Sequence, residues 1–419
     1  MILLYFAAYA TMSILAPFFP EESKKKDLSS ILDGVIFSIY AFIIVFACPV
    51  VGKMIPLTDP CAIYLIGIAL VGTSNIAFGM ITYIEEKRTF IIVSITLRII
   101  GAVGASCYLT VVYAIVPEVF PNDINTVNGM LETAVGVGMC MGPALGVWLY
   151  SIGGFPLPFI VVGGFMLLCI PICWMTFPTD IKQSSEETQE VKGVASIIFK
   201  PGVMLSLCIL ACTSFCQALL FPSLQPHMDK LGVSIEHTGL IFLLLSAMYS
   251  LASPLVGLAT DRYKCPDAFM FAGLPIMAIA LFFLGHSPIL PFISVTELIH
   301  QDLIAIVLLG LSIAMCVVPT FAAMLHYSCE GKPVDLATSA ICGGLWSSFY
   351  ALGEMVGPLY AGFLCEYFSF ATVTTMTCIV PLTLMFLLGL FMLLECNKQC
   401  RKAHIYDKLN NVENIIVVT

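Results

Sequence analysis

Long apolar runs follow one another almost without pause from Met1 to Leu394, separated by short polar turns. Each run is about 20 residues long, enough for a helix to cross the hydrocarbon core of a bilayer. Twelve such helices are predicted, at about 1–19, 31–55, 61–83, 90–116, 126–150, 156–177, 199–221, 236–259, 267–285, 302–326, 337–365 and 370–394. Soluble α/β cores also contain apolar runs, but these are shorter and divided by polar helix faces. The pattern therefore predicts an all-α membrane protein with twelve transmembrane helices. The longest polar interior stretch, Thr179 to Lys192, divides them six and six. This gives an N-terminal half at 1–178, a central loop at 179–197, a C-terminal half at 198–395 and a tail at 396–419.

Glycine and proline positions make the two halves alike. In the fifth run Gly138, Gly142 and Gly146 fall at i, i+4 and i+8, a flat stripe where another backbone can approach closely. Pro143 cannot donate to residue 139, so the same helix is expected to bend there. Gly129 precedes this ladder, and much of it recurs in the eleventh run as Gly344, Gly353, Gly357 and Pro358 with the same spacing. The second and eighth runs align as well: Gly34, Phe37, Pro49 and Gly52 fall on Gly239, Phe242, Pro254 and Gly257. Two matching pairs imply an internal duplication, hence two pseudo-symmetric six-helix halves. A bent, closely packed helix in lipid is a moving part, and the ladder reads as a hinge in a transporter.

Composition agrees: 59% of the 419 residues are hydrophobic and 11% charged, against roughly a quarter charged in soluble domains. An even helix number puts both termini on one side, and the Lys/Arg bias marks that side. About eleven basic residues fall in the tail and even-numbered loops and about six in the odd-numbered loops, so the termini are expected in the cytosol. The net charge of −9, with no basic cluster interleaved with aromatics, implies no nucleic-acid partner. Lys24, Lys25 and Lys26 are balanced by Glu21, Glu22 and Asp27 and read as a solvated loop. Met1 opens directly on an apolar run too long for the core of a cleavable leader, so that run is taken as a span.

The seventeen cysteines lie mostly in apolar runs without metal-ligand spacing, and are expected reduced. Cys208, Cys212 and Cys216 share a helical face; a soft-metal path and a small-residue packing stripe both fit them. Cys396 and Cys400 sit where S-palmitoylation would anchor the end of the last span. No metal cluster, nucleophile triad or phosphate loop occurs among the embedded residues, so neither enzyme chemistry nor a cofactor is expected.

The ladder from Gly129 to Gly146 resembles the fifth-helix signature of drug/proton antiporters in the major facilitator superfamily, with Val147 in place of the last glycine. GLATDRYK at 257–264, with Gly257, Asp261 and Arg262, resembles the superfamily's loop signature, whereas the first-half loop GKMIPLTDP lacks the Asp-Arg pair. SILAPFFPEESKKK, FPNDINTVNGMLET, WLYSIGGFPLPFIVVGG and GLSIAMCVVPTF are similar to the vesicular amine transporter family, solute carrier family eighteen, and most of all to its vesicular polyamine branch. The resemblance implies a site near the bilayer midplane between the halves. It also implies proton-coupled exchange of small organic cations, in the membrane of a vesicle or other acidic organelle; the alternatives are a proton antiporter for a drug-like or other solute and a non-transporting, facilitator-like receptor.

Three charged residues stand well inside predicted spans, where charge is costly: Arg98, Glu132 and Glu354. Arg98, in TLRIIGAVGAS, can favour the ionised state of a nearby carboxylate such as Glu132 and release it on movement, or can snorkel to an interface. Glu132 can hold either a proton or a cation in an apolar cavity, or can sit solvated in a cytosolic vestibule. Glu354, beside Gly353, can bind an amine or proton, or serve as an interhelical hydrogen-bonding group. Where family relatives carry further acids this chain has Ala8, Phe221 and Ala323, leaving Tyr40, Tyr108, Tyr249, Trp346 and Tyr350 as cation–π candidates or ordinary packing. His286 and His300 are expected in a solvated loop beside Glu297 and Asp302, and the tail VENIIVVT loosely resembles a sorting signal.

Overall fold

A backbone crossing hydrocarbon must satisfy its own hydrogen bonds, and the apolar runs do so as helices. The computed structural model describes residues 1–26, 28, 30–178, 194–290, 294–329, 331 and 333–397. The spans of the first half are α1 (Ile2–Lys25), α2 (Ser30–Met54), α3 (Pro60–Gly79), α4 (Lys87–Val119), α5 (Ile124–Gly153) and α6 (Pro156–Thr176). Those of the second are α7 (Pro201–Lys230), α8 (Ile235–Tyr263), α9 (Pro266–Phe283), α10 (Val295–Cys329), α11 (Leu336–Tyr367) and α12 (Phe370–Asn397). Ten of the twelve are apolar and long enough to cross a bilayer by composition alone; α1 and α11 complete the set. The central loop contributes a short helix, Val194–Ile198, with Ile197 fully buried, while its residues 179–193 lie outside the described residues. So do Cys400 and the tail sequence VENIIVVT; Cys396 is exposed at the end of α12.

Several helices outrun their apolar runs, because a helix leaving the bilayer keeps its backbone bonds. α10 begins at Val295, which places His300 on an exposed helical turn and buries Asp302 completely. Asp302 accepts from the Gly285 amide at 2.6 Å and pairs with His227 Nε2 of α7 at 2.9 Å, so it is no loop residue. α1 likewise continues through the lysine-rich stretch, and Glu22 there is buried rather than solvated. It pairs with Lys25 at 2.9 Å and accepts from Thr82 at 2.6 Å, tying α1 to the turn after α3.

Two hydrophobic cores form, one largely from the first six spans and one largely from the last six. The apolar stretches of α4, α7 and α10 are 78%, 72% and 67% buried, against 39% or less for the other seven of those ten spans. These three therefore stand in the middle of the bundle, and the outer helices face out with leucine, phenylalanine and methionine. Leu168, Leu255, Phe386 and Met175 are examples, and such a surface is stable in lipid but not in water.

The halves meet along two equivalent crossings, α5 on α8 and α2 on α11. At both, glycine brings backbones together: a Cβ on Gly129 would lie 3.0 Å from Pro254 Cα, and one on Gly344 would lie 3.3 Å from Pro49 Cα. Gly257 and Gly52 answer from the opposite helices, against Asn125 and Ala340. Lower in the ladder, Gly138 and Gly142 press on the Phe6 and Ala10 carbonyls of α1. Gly353 and Gly357 press on the Ala211 and Phe215 carbonyls of α7, positions related to Phe6 and Ala10 by the offset that aligns α2 with α8. The duplication read from glycine spacing is thus a duplication of backbone contacts. Gly146 is buried on the same stripe, and α5 and α11 run as continuous helices through Pro143 and Pro358.

Candidate functional site

Glu132 lies at the contact between the halves. It is 3% exposed, and its carboxylate accepts a hydrogen bond from Tyr113 of α4 at 3.2 Å and one from Tyr249 of α8 at 2.5 Å. One acid is therefore held by a hydroxyl from each half. Gly136, one turn along α5 from Glu132, makes this reach possible, since a Cβ there would lie 3.2 Å from the Tyr249 ring. Thr133 strengthens the crossing by donating to the Ser250 carbonyl at 3.0 Å.

Glu354 opens onto a narrow crevice between the halves, lined from α1, α2, α4 and α11. Its walls are aromatic: Tyr5, Tyr9, Tyr40, Tyr108, Tyr113, Trp346 and Tyr350. Trp346 and Tyr350 stack with ring planes 9° apart, and Tyr113 closes on Trp346 at 4.4 Å between centroids. Trp346 is fixed in turn by donating to Thr320 at 2.8 Å. Among the described residues Glu354 has no hydrogen-bond partner, which separates it from a structural interhelical glutamate. The Tyr5 and Ser347 hydroxyls on the same walls are buried and also without partners. Glu354 and Glu132 lie within electrostatic range of each other. The crevice thus offers one acid, Glu354, and π faces to a cation, with the Tyr5 and Ser347 hydroxyls to orient it and Glu132 bonded to Tyr113 of its wall.

Arg98 does not join them. The expected partnership with Glu132 is absent: Arg98 donates from Nε to the Ile36 carbonyl at 3.3 Å and lies over the Tyr40 ring at 4.5 Å. Arg98 and Glu132 instead sit against different tyrosines.

The loop signature is split as well. Asp261, near the end of α8, accepts four hydrogen bonds from the start of α5: the Asn125 amide at 3.2 Å, Asn125 Nδ2 at 2.8 Å, and the Thr126 amide and hydroxyl at 2.7 Å each. A carboxylate here satisfies otherwise orphan helix donors and meets the positive end of the helix dipole. Arg262 is exposed and takes no part. The opposite crossing lacks this clasp, because Pro56 occupies the position equivalent to Asp261 and α11 has already made a turn before Ala340, the counterpart of Asn125. The clasp lies at the end of the bundle shared by Met1 and Asn397 and ties α5 to α8 there. Charge-assisted bonds are worth about 1.5–3 kcal/mol. Asp261→Ala should therefore raise amide exchange at Asn125 and Thr126 by about tenfold or more, read by peptide-resolved hydrogen exchange. Arg262→Ala should leave it unchanged, and equal protection in wild type and Asp261→Ala would refute the clasp.

Tyr5, Tyr9, Tyr113 and Gly136 were not legible as site residues from sequence. Tyr5 and Tyr9 share a helical face, but an aromatic in an apolar run carries no polarity contrast. Of the cysteine face at 208, 212 and 216, Cys212 and Cys216 pack into the second core while Cys208 is only half-buried, and no described His, Cys, Asp or Glu residues group as metal ligands.

The chain matches the profile of the Major Facilitator Superfamily over residues 1–342 and again over 206–399. The mouse MFS-type transporter SLC18B1 is 31% identical over 406 residues, covering 96% of this chain and 87% of that protein. The rat SLC18B1 transporter is 33% identical, over 86% of this chain and 78% of its own length. Among solved structures the human organic anion transporter MFSD10 (TETRAN) superposes with a TM-score of 0.70 over 92% of this chain and 97% of its own, at 14% identity.

Proposed function

The chain belongs to the Major Facilitator Superfamily, within the line of SLC18B1 transporters, and from that premise we propose that it is a proton-coupled antiporter of organic cations. It carries a polyamine or monoamine from the cytosol into an acidic compartment and returns protons, with Met1 and Asn397 on the cytosolic side. The arrangement that supports this reading most is Glu132, one buried carboxylate bonded to a tyrosine of each half.

As an anion, Glu132 accepts both hydroxyls and holds the two halves together across α5 and α8. A proton on it removes the charge and one acceptor position, so the bond to one half weakens. A substrate ammonium reaching the aromatic crevice competes for the same charge, through Glu132 and Glu354 together. Proton and cation thus bind alternately, which is what antiport requires. Asp261 closes the cytosolic end by a contact independent of this exchange.

Each pH unit across the membrane supplies about 1.4 kcal/mol per proton, enough to concentrate a cation about tenfold. In proteoliposomes with an acidic interior, labelled spermine or a labelled monoamine should accumulate by about that factor per unit and per proton exchanged. A protonophore should abolish the accumulation. Uptake indifferent to the gradient would remove proton coupling, and a panel including neutral and anionic solutes would then identify the cargo.

A further inference from the structure

Behind Tyr40, which is a wall of the aromatic crevice, lies a second, narrow crevice with Thr11, Ser74, Asn75 and Arg98 as its polar lining. No carboxylate lines it, and Arg98 pairs with none among the described residues. A guanidinium has five N–H groups; Arg98 directs Nε to Ile36 and its face to Tyr40, and its terminal nitrogens donate to no described residue. Asn75 Nδ2 is also buried without a partner in the same crevice. Gly101 keeps the space open, because a Cβ there would lie 2.9 Å from Ser74 Oγ and 3.6 Å from the Tyr40 ring. Among the described residues, Arg98 lacks a counter-charge and the Asn75 amide lacks an acceptor, and at membrane depth both ask for one.

We propose that this crevice binds a carboxylate, with the terminal N–H fork of Arg98 on its two oxygens and the Asn75 amide as a further donor. Planar, forked geometry favours a carboxylate over a spherical ion. Thr11 and Ser74 already donate to the Ala7 and Val71 carbonyls, so their oxygens fill the wall rather than supply donors. The carboxylate has two possible sources, the substrate itself or a separate small counter-ion. The first source rests on the amine-transport reading: a zwitterion would place its ammonium toward Glu354 and its carboxylate at Arg98, on either side of Tyr40.

Thermal unfolding of the purified full-length protein in detergent, at constant ionic strength, tests the site without requiring transport. Acetate should raise the midpoint saturably and chloride should not. Arg98→Gln and Asn75→Leu should each raise the half-saturating acetate concentration by about tenfold to a hundredfold, while Gly362→Ala, where a Cβ meets nothing within 4 Å, should leave it unchanged. Should Arg98→Gln fail to fold, Asn75→Leu carries the same comparison. A straight-chain ω-amino acid saturating well below an equimolar mixture of alkylamine and acetate assigns the site to the substrate's own carboxylate; equality assigns it to a counter-ion. No saturable acetate response, chloride matching acetate, or both variants responding as wild type would each overturn the site.

Discussion

Replacing Glu132 by glutamine should abolish gradient-driven uptake while the protein still folds. Glutamine matches the shape and can still accept one tyrosine hydroxyl, but it neither binds a proton nor carries a charge. Accumulation should fall from about tenfold per pH unit and proton to the level seen without a gradient. Binding of the amine should weaken as well, because the ammonium loses one of the two acids near the crevice. Tyr249→Phe separates coupling from charge: the acid remains, but the 2.5 Å bond to the second half is gone. Loss of one hydrogen bond to a charged group is worth about 1.5–3 kcal/mol. Tyr249→Phe should therefore slow exchange by about tenfold or more at saturating amine while uptake still responds to the gradient. Glu354→Gln should chiefly raise the amine concentration needed for half-maximal uptake, since Glu354 faces the crevice and bonds to neither half. Full pH-driven accumulation by Glu132→Gln in sealed proteoliposomes would dismiss Glu132 as the coupling acid.

Fold and site were legible to different extents, for different physical reasons. Spans are legible because a bilayer imposes a length and a polarity that no local choice can evade. The pseudo-symmetry is legible because close backbone approach admits almost nothing but glycine, so contacts such as Gly129 with Pro254 and Gly344 with Pro49 leave a mark in the sequence. Glu132 and Glu354 stand out because a charge in an apolar run contrasts with its neighbours. Tyr5, Tyr9 and Tyr113 do not, since the same residue serves equally as packing. The partners of Asp261 and Asp302 are distant in sequence, at Asn125, Thr126 and His227, and no local spacing announces them. Arg98 shows the limit of reading roles from charge alone: its position at membrane depth was legible, but its surroundings belong to Tyr40 and Asn75 rather than to an acid.

The second large effect is expected at the crossings themselves. Gly129→Ile and Gly344→Ile should each hold the end of the bundle near Met1 open. With Gly344 substituted, the new Cβ would lie 2.5 Å from the Cys48 carbonyl oxygen and 3.1 Å from its carbon, contacts with backbone that no rotamer can relieve. Overpacking of this kind costs about 1–3 kcal/mol, and more where backbone must move. The cheapest escape is for α2 and α11, or α5 and α8, to separate, which shifts the equilibrium toward that open end by about tenfold to a hundredfold. Cys48 is a built-in reporter: it is fully buried on α2 at the Gly344 crossing, and separation exposes it. Peptide-resolved labelling with an impermeant thiol reagent should modify Cys48 in both variants and not in wild type, and uptake should fall together with the gain in labelling. Gly164→Ala and Gly362→Ala provide the control, because a Cβ at either position meets nothing within 4 Å. Those two should transport and label as wild type does. If Gly129→Ile and Gly344→Ile also do so, the crossings are packing surfaces and the halves move about some other line. The expected asymmetry sharpens the test. Only the α5–α8 crossing has the Asp261 clasp, so Gly344→Ile must work against a second crossing that remains clasped, whereas Gly129→Ile forces the clasped crossing directly. Adding Asp261→Ala should therefore increase Cys48 labelling more in Gly344→Ile than in Gly129→Ile.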